Sequence, residues 1–218
     1  MIKIFLKKLR ILALQNQREK ILSKEIAGLI LSYNKKNIKI LDYGSGFEPK
    51  VATMIYENLK KSGVKKIQFD CYDLYKNFNL KNFNKTKFIN FYKISSLKLK
   101  KKYDFCLIND VFHHIGIHRK SCLKKLLIQL KSLSKYLIIK DHFQYGILTN
   151  STLRFMDFIG NYYNDVNIPK KYFDKKNLTY LLRSANLKIV KKKINIRYYS
   201  KFFLFFSNPK LHFIYVLK

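Results

Sequence analysis

Short apolar runs alternate along this chain with longer stretches of about 3.6-residue periodicity, the signature of strands interleaved with amphipathic helices. Asn37–Asp42, Lys66–Cys71, Lys87–Phe91, Tyr103–Asn109 and Lys135–Lys140 read as five strands. Residues 2–32 read as helix, with Ile11, Leu12, Leu14, Ile21, Leu22, Ile26, Leu29 and Ile30 at helical spacing. A second helix starts near Pro49, runs through Met54, Ile55 and Leu59, and stops at Gly63. A third spans 119–133, with Cys122, Leu123, Leu126, Leu127, Leu130 and Leu133 on one face, and a fourth spans Asp174–Ala185. Two final strands fall near Leu187–Tyr198 and Leu211–Leu217. Residues 143–173 break the rhythm, being rich in aromatics and holding Gly146, Gly160 and Pro169.

Strands alternating with helices predict an α/β fold, a doubly wound parallel sheet with helices on both faces. Ligands in such sheets bind beyond the carboxyl ends of the strands. The chain has only 13 acids, yet Asp42, Asp70, Asp73, Asp110 and Asp141 all fall at or near predicted strand C-termini. A surface role would scatter them.

The length of 218 residues suits an amino-terminal helical segment, 1–35, and one domain, 36–218, with 143–173 as an insertion covering the substrate. No apolar run approaches the ~20 residues of a bilayer span. Lys7, Lys8 and Arg10 interrupt residues 1–20, which fit a basic amphipathic helix better than a secretory signal. Cys71, Cys106 and Cys122 are few and widely spaced, which points to a reducing, cytoplasmic setting with surface association to a membrane left open.

A formal charge of +32 ordinarily suggests nucleic acid or an anionic membrane. Two features weaken that reading. Only six of the 45 basic residues are Arg, and the lysines are spread over the whole chain. Abundant Lys, Asn, Ile, Phe and Tyr without a single Trp look like the residue choice of an AT-rich genome.

The strand Asn37–Asp42 ends in Asp42 and runs at once into Tyr43-Gly44-Ser45-Gly46, a turn where a ligand can approach the backbone. A phosphate-cradling loop needs Gly-Lys-Ser/Thr after the turn, and Phe47-Glu48-Pro49 stands there instead. A dinucleotide site wants a third glycine where Pro49 sits, and Asp42 and Glu48 would repel pyrophosphate. S-adenosylmethionine has no phosphate and carries an ammonium and a sulfonium, which carboxylates suit.

At these residues the chain resembles the class I S-adenosylmethionine-dependent methyltransferases. Leu41-Asp42-Tyr43-Gly44-Ser45-Gly46 is similar to their first motif, Leu-Asp-x-Gly-x-Gly. Asn109-Asp110-Val111-Phe112-His113-His114-Ile115 resembles the segment after the fourth strand in the type 11 branch. Ile138–His142, Leu153–Asn161, Val166–Pro169 and Leu211–Ile214 resemble one bacterial subgroup, so the likeness covers about residues 36–218. The resemblance implies a Rossmann-like, seven-stranded sheet, mostly parallel with an antiparallel last strand. It implies that Asp42, Gly44 and Gly46 contact the methionine end of the cofactor, with Asn109 and Asp110 lining the same side. An acid closing the second strand would accept the ribose hydroxyls; Asp73 is the first choice and Asp70 the alternative. Asn90-Phe91-Tyr92-Lys93 lacks the acid that often recognises adenine, so adenine stays unassigned.

His142 at the end of the fifth strand, oriented by Asp141, is either the acceptor base or part of hydrogen bonding that holds the 143–173 insertion, and His113 is the third expected catalytic residue. His113, His114 and His118 invite a metal reading, but no acid or Cys completes a set in the sequence, and no metal is expected. Arg154, Asp157 and Asn161 share a helical face and either line the acceptor pocket or form an internal network. Tyr198–Phe206 reads as core strand or as a greasy, membrane-facing run. The expected acceptor is a small or lipid-like molecule. An RNA methyltransferase, or a catalytically idle nucleic-acid-binding copy of the fold, is the competing reading.

Overall fold

In a computed structural model, the chain is described over residues 17–46, 49–74, 89–97, 102–161, 168–198 and 208–218. The expected helix over 2–16, Glu48, the first residues of the third strand and the 199–206 aromatic run lie outside the described residues. Seven strands form one sheet: β1 Asn37–Tyr43, β2 Lys66–Asp73, β3 Ile89–Lys93, β4 Tyr103–Asn109, β5 Ser134–His142, β6 Ile189–Ile194 and β7 His212–Leu217. Their order is β3-β2-β1-β4-β5-β7-β6. The first five are mutually parallel, and β7 runs antiparallel to both neighbours. Among the described residues the α-helices are α1 Gln17–Leu31, α2 Lys50–Lys61, the one-turn α3 Phe112–Ile115, α4 Lys120–Leu133, α5 Ile147–Asn161 and α6 Lys175–Ser184. None is long and apolar enough to cross a membrane.

The pleat divides the core in two. Ile38, Ile40, Phe69, Phe105, Leu107, Ile138, Ile214 and Val216 face one side, where Leu22, Ile26 and Ile30 of α1 and Ala52, Ile55 and Leu59 of α2 bury them. Leu41, Cys106, Ile108, Leu137, Ile139, Phe213 and Tyr215 face the other, under Leu123, Leu127 and Leu130 of α4 and Leu178, Leu181 and Leu182 of α6. Burying an aliphatic side chain of this kind contributes about 1.5–3 kcal/mol, so both helix layers are held mainly by apolar contact. Both faces being covered explains the nearly unbroken apolar strands.

Three expected boundaries shift. β2 extends to Asp73, so Asp73 is the last strand residue and Asp70 lies mid-strand. β5 runs on to His142 because Asp141 pairs with Phe213 and His142 with His212 of β7. Residues 143–173 are not irregular throughout, since α5 occupies half of them.

Candidate functional site

The turn after β1 is shaped by its backbone. Gly44 and Gly46 have φ of 78° and 81°, a region that side chains rarely adopt. A Cβ on Gly44 would also lie 2.4 Å from Cγ2 of Val111. The Gly44 amide donates to the Tyr72 carbonyl at 2.8 Å, and the Gly46 amide donates to Asp73 Oδ2 at 2.7 Å. Asp73 also accepts the Leu74 amide. The acid closing β2 thus ties the turn to its neighbouring strand.

Asp42 is 2% exposed, and its Oδ1 has no hydrogen-bond partner among the described residues. Burial, then the nearby Asp73 carboxylate, push its pKa up to about 7. Asn109, closing β4 beside it, likewise carries a buried Oδ1 without a partner. Two bare oxygens next to a turn with no room for a side chain could accept hydrogen bonds from a cationic ligand. Asp70, by contrast, is fully buried and accepts hydrogen bonds from Gln68, Asn90 and Tyr103 at 3.2, 2.8 and 2.7 Å. Mid-strand and satisfied within the sheet, it is not placed to meet a ribose.

A charged cluster lies at the same edge of the sheet, on the α1 side of β5. Lys140 is completely buried and donates to both oxygens of Asp110 at 2.5 and 2.7 Å. Its ammonium also stands 5.3 Å from the Tyr198 ring centroid. Arg18 of α1 pairs with Asp110 too. Asp110 adopts φ 55° just after β4, which turns its carboxylate back towards these partners. Burial works against its charge, but Lys140 and Arg18 outweigh it, holding the carboxyl well below the usual range. His142 shares its Nδ1 with His212 Nδ1 at 3.0 Å and brings Nε2 within 3.2 Å of Asp110 Oδ1. Burial first, then Lys140, hold both imidazoles well below their ordinary pKa, so both are neutral.

Asp141 does not orient the His142 ring as expected; its Oδ1 accepts the His142 backbone N–H at 2.7 Å instead. Both residues lie within β5, where successive side chains leave opposite faces of the sheet. Asp141 therefore points to the α3 side, where its Oδ1 lies 2.7 Å from His113 Nδ1. His113 is 1% exposed, and its Nε2 sits 3.5 Å from Asp157 Oδ2 of α5. Tyr172 donates its hydroxyl to that same Asp157 oxygen. Burial opposes a charge on His113, but Asp141, Asp157 and Asp110 overcome it and raise its pKa to about 9. At neutral pH His113 is an imidazolium held between two carboxylates.

Asp42, Gly44, Gly46, Asp73 and Asn109 gather at one end of this edge. Asp110, Asp141, His113 and His142 gather at the other. Of the residues expected on one helical face, Asp157 turns inward while Arg154 is exposed. Acids that the sequence did not place beside the histidines do stand there. His113 with His114 and Asp157, or with Asp110 and Asp141, brings ligand-type atoms within 4.8 Å of one another. Asp110 of the second set is already matched by Lys140 and Arg18. His118 is exposed and lines a separate polar cleft with Lys120 and Asn177. Arg18, Lys140, His212 and Tyr172 were not singled out as site residues. Cross-strand pairing of β5 with β7 was the one signal that could have placed His212 beside His142.

The strand order, the single antiparallel strand and the glycine turn at the end of β1 define a known class of fold. No protein-family model matches the chain, and no curated protein matches it in sequence. Solved structures do match. One is magnesium protoporphyrin IX methyltransferase from Synechocystis with bound S-adenosylhomocysteine: TM-score 0.59, 12% identity, covering 94% of this chain and 84% of that one. Another is 1,6-didemethyltoxoflavin-N1-methyltransferase from Burkholderia thailandensis, also with S-adenosylhomocysteine: TM-score 0.56, 15% identity, 89% and 77% covered. A cyclopropane-fatty-acyl-phospholipid synthase-like protein from Lactobacillus casei matches at TM-score 0.60 and 9% identity, with 92% and 90% covered. The chain has the fold of the class I S-adenosylmethionine-dependent methyltransferases.

Proposed function

We propose that the chain is an S-adenosylmethionine-dependent methyltransferase, of the type 11-like branch, acting on a small-molecule or lipid-like acceptor. The observation that carries this reading is the pair of bare buried oxygens, Asp42 Oδ1 and Asn109 Oδ1, beside a turn that excludes a side chain at Gly44. An ammonium in that cradle would satisfy both oxygens and return Asp42 to its charged form. We assign Asp73, at the end of β2, to the ribose hydroxyls; Asp110, matched by Lys140 and Arg18, stays with the charged cluster. When bound, the cofactor supplies an electrophilic methyl group on sulfur.

The residues across the edge then align the acceptor and keep water out. We assign His113 to polarising an acceptor oxygen, since its charge favours the deprotonated form of a bound hydroxyl. Asp141 orients His113, and Asp157 stands where such a proton would go. His142 has both ring nitrogens engaged and holds the cluster in place rather than serving as a base. One neighbour in the fold holds bound 1,6-didemethyltoxoflavin, a small molecule, which supports a small acceptor here, and the free cysteines suit a cytoplasmic setting.

An RNA-methylating or non-catalytic nucleic-acid-binding protein is the second reading, favoured by the +32 charge. Methyl-tritiated S-adenosylmethionine incubated with the chain and with separate small-molecule, lipid and RNA extracts distinguishes them. Label in the small-molecule or lipid extract is the expected result. Label confined to RNA establishes the second reading, and no label in any extract removes the enzyme.

A further inference from the structure

The strongest unabsorbed feature is a greasy tip at the start of α5, the helix whose Asp157 reaches His113. Ile147 and Leu148 are 86% and 85% exposed, and Tyr145 is 57% exposed. Leu148, Phe155 and Phe158 recur seven and three residues apart, so they run along one face of α5, and both phenylalanines stay exposed. Single exposed apolar residues are ordinary, but five on one short segment form a patch.

The rim of this patch is cationic. The Tyr145 hydroxyl donates to the Lys210 carbonyl, and Asn150 donates to the Lys170 carbonyl, which puts both lysines next to the tip. Lys170, Lys171, Lys210 and Arg154 are all exposed. Residues 143–161 contain a single acid, Asp157, and it turns inward to His113 and Tyr172. Apolar side chains ringed by Lys and Arg, with a tyrosine at the boundary, match the chemistry of an anionic bilayer: apolar groups enter the acyl boundary and the cations meet lipid phosphates.

We propose that the tip formed by Tyr145, Ile147 and Leu148 docks on an anionic lipid bilayer, with Lys170, Lys171 and Lys210 against the headgroups. The surface lies on the same helix that presents Asp157 to His113, so docking sets the acceptor side of the site at the membrane boundary. Docking needs no cofactor, so its failure is separate from failure of the methyltransferase reading.

The chain contains no Trp, so a single Leu148→Trp substitution is a clean reporter. With vesicles of mixed phosphatidylglycerol and phosphatidylcholine, its emission should shift to the blue. Tyr180→Trp, on the exposed face of α6 at 68% exposure, should not shift. Ile147→Glu with Leu148→Glu should lower the vesicle partition coefficient at least tenfold while leaving the thermal transition of the free protein unchanged. An unshifted Leu148→Trp, or a double variant that sediments with vesicles as well as the native chain, overturns the proposal. So does a native dimer that the double variant turns into monomer, since the tip would then be a self-association surface.

Discussion

The glycine turn after β1 and the charged cluster at the end of β5 share one edge of the sheet but are built by different means. The turn is made by consecutive residues. Its shape comes from backbone at Gly44 and Gly46, and its chemistry from strand-end groups with nothing to bond, Asp42 and Asn109. The cluster is made by side chains from α1, α3, β5, α5 and β7, and Asp110, Lys140, Asp141 and His142 in it all carry partners. Among the described residues, buried oxygens without partners at the turn stand beside a cluster held by its own charges, in which His113 Nε2 is left without a hydrogen-bond partner. On the proposed reading the first is the donor site and the second the preorganised acceptor site.

The sharpest way to break the cluster is Lys140→Met. It strands Asp110 without its main buried cation, and breaking a buried pair typically costs about 3–5 kcal/mol. Urea denaturation should show a loss of that size, with most of it regained in Lys140→Met combined with Asp110→Asn. The matching attack on the turn is Gly44→Val, which places a branched side chain where a Cβ already meets Val111 at 2.4 Å. It should weaken cofactor binding at least ~100-fold, about 2.7 kcal/mol, with a smaller effect on the fold.

Protonation separates the two regions further. Asp42 titrates near 7 rather than at the ordinary 3.8. In the free protein its charge is penalised as pH rises from about 4 to 7, so its contribution to stability falls over that window. Binding of a cationic ligand reverses the preference, so cofactor affinity should fall about tenfold for each pH unit below 7. Asp42→Asn should remove that dependence in calorimetric titrations across pH 5–8. His113 has the opposite sign. Its folded pKa of about 9 exceeds the ordinary 6.5, so its stabilisation is complete below 6.5 and is lost as pH rises through 9. Asp141→Asn should flatten that decline by on the order of 1–2 kcal/mol, measured by urea titration at pH 6 and pH 9.5.

This contrast also decides what could be read from the sequence. Asp42, Gly44 and Gly46 fall within one short stretch of chain, and strand–turn–helix chemistry is local, so the turn and the sheet were legible there. Asp73 was expected just past the second strand, and β2 instead runs on to include it. The pairing of Asp141 was misjudged because the end of β5 is set by β7, some seventy residues later, and not by local composition. Once β5 includes His142, the two-residue repeat sends Asp141 and His142 to opposite faces. Lys140 looks like any other lysine in a lysine-rich chain until topology surrounds it, and Arg18, His212 and Tyr172 are silent for the same reason.

The central claim is that the turn after β1 holds S-adenosylmethionine through Asp42. Isothermal titration of the native chain with S-adenosylmethionine should show one saturable site per chain at neutral pH, lost in Asp42→Ala and in Gly44→Val. A native chain that takes up no heat from the cofactor, or variants that bind as tightly as the native chain, would contradict it.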